Sequence, residues 1–519
     1  MLNVRPLASI VVGLRSSAKP IVPASSDRNT TNETGTLELL PTTNDWRPTT
    51  VSMPASYDTA VARMYALGHE LAQTPSQKFD LAHMRVLLAA LENPERRFPS
   101  VLIAGTNGKG STAATLASIL RASGSQTGLY TSPHLIRINE RIQINAEAVS
   151  NEKFALLHDM VERAAERLVE EGELPWHPSF FEMLTAMAFE HFATSKVEIA
   201  VLEVGMGGRL DATNVVDPRV SVIADISLDH QKFLGDTIAE IAGEKVGIIR
   251  RNGIVVTLPQ IPAANDVIGN AILDLDARAV SAVPFVPPVS PGATPYNRKS
   301  LAAEVAEEDA GGAEKNGLWA QYPLEVMGKE ITVRTPLVGR HQLRNVALAI
   351  AAAEELAKQG FSVNAESIER GIRETRWPGR FQVLPARDGR PEFVLDVAHN
   401  PAGAWALRSA LSSWYEDRRI IFVFGAMRDK AIQEMAEILF PLGEHVIATC
   451  ADNPRSAAPE EIREAASRTH ADIQLTHDVK SGLERAQELA AMGGIVVVTG
   501  SIYVVGAAMR ILGVPADAK

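Results

Sequence analysis

Cysteine is almost missing from this sequence: Cys450 stands alone among 519 residues. An internal disulfide is excluded, and so is a cysteine-cluster metal site; the pattern suits a reducing, cytoplasmic setting. Positive charge is short as well. Lys and Arg number 51 against 62 Asp and Glu, and the net charge of −11 argues against nucleic acid as the main partner. No apolar run approaches the roughly 18 residues a membrane-spanning helix needs, so no membrane partner is expected. What is abundant is core material: 46% of the residues are hydrophobic and 22% charged, as in soluble globular chains. The length exceeds one ordinary domain.

The most informative segment is Val101-Leu-Ile-Ala-Gly-Thr-Asn-Gly-Lys-Gly-Ser-Thr112. An apolar run of strand character ends in a glycine-rich turn with one lysine and two hydroxyls, and residues 113–120 then read as a helix. That is the layout of a phosphate cradle. Glycines let backbone N–H groups close on phosphates, the helix start adds its dipole, Lys109 supplies charge and Ser111 can reach Mg²⁺. The string departs from the usual phosphate-loop pattern, with Ile103 in place of the leading glycine and Gly110 between lysine and hydroxyl. A plain strand–turn–helix connection is the competing reading.

Strands are expected at 101–104, 126–130, 198–204 and 220–226, with helices at 151–171 and 179–193. Such alternation predicts an α/β fold with a mostly parallel sheet covered by helices. Residues 56–91 carry apolar positions at helical spacing. Texture changes over about 260–318, where prolines cluster and the acidic, Ala-rich tract 304–314 follows; this reads as a flexible insertion. Residues 322–333 alternate again, as a small β segment, before the apolar helix 343–358. Arg376-Trp-Pro-Gly-Arg380 looks like a hinge, and a second αβ series at 393–498 reads as a smaller doubly wound, Rossmann-like domain. Residues 1–54 hold basic residues and a short apolar stretch, superficially like a transit peptide, but are read as a disordered extension or the product of an upstream start.

Several residues cluster at predicted strand ends, where ligands bind in open parallel sheets. Glu203 precedes Gly205-Met-Gly-Gly208, and His230 follows the strand at 220–226. Sharing an edge with the glycine turn, both suit a Mg²⁺-linked role, although oxygen ligands are the norm for that ion. Lys245, within Glu244-Lys-Val-Gly-Ile-Ile249, reads from the residues alone as a solvated helix charge. Asp396-Val-Ala-His-Asn-Pro401 either caps the helix after Pro401 or delivers an acid and a base to a crevice; capping alone would satisfy Asn400. Arg380 is a candidate nucleotide contact, or a linker ion pair of small worth.

Assembled, these pieces closely resemble the folylpolyglutamate synthase/dihydrofolate synthase family, a branch of the Mur ligases. The matching strings are Gly105-Thr-Asn-Gly-Lys-Gly-Ser111, Thr131-Ser-Pro-His-Leu135 with Glu140-Arg141, and Glu203-Val-Gly-Met-Gly-Gly-Arg-Leu-Asp-Ala-Thr-Asn214. They continue with Asp229-His230 and Leu234-Gly235, Glu244 to Ile249, His341-Gln-Leu-Arg-Asn345, Trp377-Pro-Gly-Arg380, Asp396 to Pro401, and Gly500-Ser-Ile-Tyr503. The resemblance runs from about Tyr57 to Met509, apart from 260–318. It implies an ATP-binding central domain at 55–378 and a C-terminal ligase domain at 379–519.

The resemblance also implies roles. Asn107, Gly108, Lys109, Gly110 and Ser111 would hold the ATP phosphates, with Asn345, Arg380 and Asp396 as further ATP contacts and His399 beside them as a catalytic residue. Ser111, Ser132, Glu203 and His230 would surround one or two Mg²⁺ ions. Lys245 matches the family's carboxylated lysine, which overrides the solvated reading. The pterin side would draw on Asp80, Leu81, Phe180, Phe181, Leu210, Asp211 and Ala212, although Asp80-Leu-Ala-His83 departs from the usual glycine-containing turn. The implied reaction is phosphorylation of a pteroyl carboxylate by ATP and capture of the acyl phosphate by the amine of L-glutamate, in a cytoplasmic monomer.

Glu203 to Asn214 resembles the bacterial bifunctional enzymes, which accept dihydropteroate and reduced folates. The alternatives are a monofunctional synthase, a ligase for a cell-wall nucleotide precursor, or a nucleotide-binding module without catalysis. The second lacks the N-terminal domain it needs, and the third does not explain the retained acid, histidine and lysines. Replacing Lys109 by Ala is expected to abolish ADP release; an active variant would remove the phosphate cradle from the account.

Overall fold

The computed structural model describes residues 56–68, 81–288, 318–491 and 493–515. The 1–54 extension, Asp80 and the acidic tract at 304–314 lie outside the described residues. The strands of the larger lobe are β1 (Ser100–Ala104), β2 (Thr127–Tyr130), β3 (Ile142–Ile144), β4 (Glu147–Ala148), β5 (Ile199–Glu203), β6 (Val220–Ile223), β7 (Ile254–Thr257) and β8 (Arg278–Ser281). They form one sheet in the order β4-β3-β2-β5-β1-β6-β7-β8, parallel except for β3 and β4 at one edge.

Every residue of β1 is buried, because helices cover both faces of the sheet. Alternate side chains enter opposite cores, as strand geometry requires. Leu102 and Ala104 join the helices Leu81–Ala90, Asn151–Glu170 and Phe180–Thr194. Val101 and Ile103 join the helices Lys109–Ala122 and Arg340–Lys358. Hydroxyl caps set helix starts on the first side: Ser150 accepts from Lys153 N, and Ser179 and Glu182 form a reciprocal box.

Residues 262–281 depart from the reading as the start of a flexible insertion. They form the helix Pro262–Asp274 and strand β8, whose Ala279 and Val280 pair in parallel with Val255 and Val256 of β7. Proline at the helix start is what that position tolerates. After the gap, β9 (Ala320–Val326) and β10 (Lys329–Thr335) make an antiparallel hairpin packed into the same core as Arg340–Lys358.

The smaller lobe contains β11 (Gln382–Leu384), β12 (Glu392–Leu395), β13 (Ile420–Phe424), β14 (His445–Ala448), β15 (Ile473–Leu475) and β16 (Ile495–Thr499). Their order is β11-β12-β16-β13-β14-β15, parallel except at β11. The lobes touch through Leu135, which packs where Gly379 and Gly506 leave room for it. No described helix is long and apolar enough to cross a membrane.

Two helices of the larger lobe approach so closely that only glycine fits between them. A Cβ on Gly371, in the helix Ala365–Arg373, would lie 2.4 Å from Ile119 Cα. The obstacle is backbone, which cannot rotate away. Replacing Gly371 by Ala should lower stability by about 1–3 kcal/mol, read as a fall in the denaturant midpoint without change in slope.

Candidate active site

The phosphate loop occupies residues 105–108, between β1 and the helix Lys109–Ala122. Its backbone is pinned to the strand next door: Asp225 O accepts from Thr106 N (2.7 Å) and Asn107 N (3.2 Å). Thr106 Oγ1 donates to Ser227 O, and Asn107 Nδ2 to Ser227 Oγ, both at 3.0 Å. Gly108 caps the helix with φ +85°, and a Cβ there would come within 2.2 Å of Asn345 Oδ1. Glycine is required on both counts. Lys109 Nζ donates to Thr106 O at 3.2 Å. Asn345 is buried and fixed by Gln342 (2.9 Å), and Trp377 lies where a Cβ on Gly110 would fall.

Glu203 closes β5 directly beside β1 and is only 4% exposed. Its Oε2 accepts from Ser132 N at 3.0 Å. Burial pushes this carboxyl up, against the pull of Lys109, the Ser132 amide and Arg380. His230 has a left-handed backbone, φ +51°. Burial holds its pKa down to about 3 against the pull of Asp229, with Lys430 and His399 adding to the fall. The ring is thus neutral, the form in which imidazole binds metals. Ser111, Ser132, Glu203 and His230 all line one cavity with Lys109.

Among the described residues no three His, Cys, Asp or Glu side chains meet closely enough to hold a metal by themselves. One desolvated carboxylate, two hydroxyls and a neutral imidazole beside a phosphate cradle still fit Mg²⁺, which keeps waters and shares substrate oxygens. Lys245 reverses the solvated reading. It comes from the last turn of the helix Ile238–Val246, is buried, and donates from Nζ to Gly105 O at 3.0 Å beneath the phosphate loop. Burial and the neighbouring Lys109 lower its pKa to about 7.

The smaller lobe supplies the opposite wall. Asp396 follows β12 and is buried, its two oxygens accepting from Phe381 N and Ala398 N at 2.8 Å each. Burial raises its pKa despite Arg380. His399 places Nδ1 2.9 Å from Val397 O and Nε2 3.6 Å from Asp229 Oδ2. Sequence reasoning quoted Asp229 beside His230 without giving it a role and did not single out Lys430, its partner across the cleft. Asp229 meets Lys430 Nζ at 2.6 Å, the two side chains being 7% and 9% exposed. Burial alone would raise the Asp229 pKa; the contact with His399 and the charge of Lys430 hold it well below the carboxylate range. The one available signal was position, since Asp429-Lys430 follows strand β13 at the carboxyl edge of its sheet.

Two cavities meet here. One, of about 530 Å³, runs from the phosphate loop past His341, Asn345 and Asp396. The other, of about 520 Å³, is lined by Leu81, Met84, Phe181, Leu210, Ala212 and Tyr503. Ser132, His230, Arg380 and His399 line both. Two expected pterin-side residues differ from expectation. Phe180 is turned into the core, stacked on Tyr65 at 5.8 Å beneath Arg141. Asp211 reaches the cavity wall, but its oxygens are occupied by Thr213 N, Thr213 Oγ1 and Met206 N.

Known proteins resemble this chain in sequence and in fold. Residues 179–353 match the Mur ligase middle domain and residues 379–502 the Mur ligase glutamate ligase domain. The dihydrofolate synthase/folylpolyglutamate synthase of Bacillus subtilis is 33% identical over 427 residues, 82% of this chain and 92% of its own. The Mycobacterium tuberculosis protein of that name is 31% identical over 488 residues, 87% of this chain and 94% of its own. A structure of Mycobacterium tuberculosis folylpolyglutamate synthase complexed with ADP and AMPPCP superposes with a TM-score of 0.76 at 30% identity, covering 88% of this chain and 99% of that one. E. coli FolC in complex with DHPP and ADP gives 0.70 at 26%, covering 88% and 98%. With relatives at this identity over most of both chains, the chain belongs to the folylpolyglutamate synthase/dihydrofolate synthase family of Mur ligases as an ATP-dependent ligase.

Proposed function

We propose that this ligase adds L-glutamate both to reduced folates and to dihydropteroate, through an acyl phosphate. The observation that carries the reading is the shared rim: an acceptor carboxylate in the apolar cavity and a γ-phosphate in the polar one meet at Ser132, His230, Arg380 and His399. The acceptor oxygen attacks the γ-phosphorus, the bond to the β-phosphate oxygen breaks, and ADP leaves. The glutamate amine then attacks the acyl carbon, the carbon–oxygen bond to phosphate breaks, and phosphate leaves.

Lys109 and Arg380 offset the charge on the transferring group, so positioning and electrostatics supply most of the catalysis. Ser111, Ser132, Glu203 and His230 would hold Mg²⁺, whose chemistry there is further neutralisation of phosphate charge. His399 is assigned the proton lost by the amine. Its Nδ1 is tied to Val397 O, and Asp229 faces Nε2 to stabilise the ring once protonated. Lys430 and Arg455 also line the acceptor-side cavity, paired with Asp229 and Asp429, where an incoming dicarboxylate would compete for them. Closure around Trp377–Gly379 would keep water from the acyl phosphate.

Lys245 is assigned a carboxylated state. A buried amine with a pKa of about 7 is partly unprotonated at neutral pH and can add CO₂, forming an N–C bond and releasing a proton. The adduct converts a cation beneath the loop into an oxygen ligand. Protonation competes with this addition, so the carbamate should fade as pH falls through about 7. Carbon-13 NMR of enzyme supplied with labelled bicarbonate should show it in the parent and not in Lys245→Ala, whose kcat should fall by roughly 10–100-fold.

Substrate scope has a direct test. The purified chain should release ADP with glutamate and either tetrahydrofolate or dihydropteroate, each giving a product one glutamate longer by mass. Turnover with only one acceptor would leave a monofunctional synthase.

A further inference from the structure

Asn400 carries more than a helix cap. Its Oδ1 accepts from Gly403 N at 2.8 Å and starts the helix Pro401–Trp414. Its Nδ2 donates to Asn107 Oδ1 in the phosphate loop and to Asp229 Oδ2, each at 3.0 Å. An amide nitrogen has two hydrogens, and here two acceptors from the larger lobe face it. Gly403 N is a donor only, which fixes the oxygen of the Asn400 amide and turns its nitrogen toward Asn107, itself held from the other end by Ser227. The side chain of Asn400 is buried, the residue being 2% exposed. A hydrogen bond sheltered from water, with an ionised acceptor, is among the stronger kinds.

We infer that Asn400 is a positioning residue that couples docking of the smaller lobe to the phosphate loop. Its amide reaches Asn107 only when the helix Pro401–Trp414 is seated against the larger lobe. The Asn107 side chain, held at Nδ2 by Ser227 of its own lobe, is thereby pinned at Oδ1 as well only in the closed arrangement, which fixes the loop around the phosphates. Hydrolysis of ATP in the open arrangement is suppressed by the same device, because the loop is incomplete until the second lobe arrives. The inference rests on the ligase reading above for what is turned over, and on geometry alone for the link.

The two jobs of Asn400 are separable by substitution. Asp and Ser cap helices about as well as Asn, but Asn400→Asp presents an anionic oxygen to two acceptors, and Asn400→Ser is too short to reach either. The full-length Ser variant, which keeps the cap, should lose less of the thermal midpoint than Asn400→Ala, whereas Asp sets a second anion beside Asp229 and should lose more. The Ser and Asp variants should both lower kcat by about 10–100-fold, with the KM for ATP moving less than about threefold. The double variant Asn107→Ala with Asn400→Ser should be no slower than the slower single one. Parental kcat in the Asp and Ser variants, or additive losses in the double variant, would overturn the link. So would a drop in midpoint in the Ser variant equal to that of Ala, with no separate effect on rate.

A readout without folate keeps this apart from the substrate assignment. Small-angle scattering with Mg²⁺ and AMPPCP should show compaction of the parent and less of it for Asn400→Asp. Equal compaction counts against Asn400 whatever the acceptor proves to be. Reduced compaction in a chain that makes no folate product upholds the link and removes the substrate instead.

Discussion

Three adjacent parallel strands ending at one edge impose everything else on this molecule. β5, β1 and β6 lie one strand spacing apart, so Glu203, the glycine turn and the segment from Asp225 to His230 emerge side by side. None of the three could be displaced by a residue without turning its side chain to the other face of the sheet. The loop is then tied to Asp225 by backbone hydrogen bonds, and Asp225 is tied in turn to Arg344 at 2.7 Å. The phosphate cradle is therefore as rigid as the sheet beneath it.

Charge is held in reserve at this edge. Burial raises Glu203 and Asp396 and lowers Lys245 and His230, so each of these groups is less inclined to ionise than it would be in water. Taking an unpaired ion out of water costs several kcal/mol, which only a partner can offset. Asp229 is the exception, since Lys430, Asn400 and His399 converge on it from the smaller lobe. The lobes are thus joined at a carboxylate that a lysine of the other lobe pairs. The groups left uncompensated face the space where phosphates and a cation belong.

Period-two and helical spacing made the alternating elements legible, and the rule that ligands gather beyond strand ends located Glu203 and His230. Other features had no local signature. Lys245 sits in a helical last turn, where a lysine ordinarily points to solvent, and only the sheet packed over it makes it buried. Phe180 and Phe181 are neighbours on a helix, about 100° apart around its axis, so one faces the cavity while the other enters the core. Asp211 looks like a substrate-facing acid, yet it bonds its own loop, the ordinary fate of an acid two residues from a free amide. The Asp229–Lys430 pair spans 201 positions, a separation that periodicity does not report. Residues 262–281 were masked by the prolines that follow them, although Val255, Val256, Ala279 and Val280 already carry strand character.

The contacts that finish the phosphate loop are far away along the chain. Asn345, Arg380, Asp396 and Asn400 all follow Lys109 by more than 230 residues. A growing polypeptide on the ribosome thus has its glycine turn and most of its first sheet long before anything exists to seat against them. Domains fold as they emerge, so the nucleotide pocket is completed only at the end of synthesis, and a prematurely terminated product carries a formed sheet with an open, unfinished site.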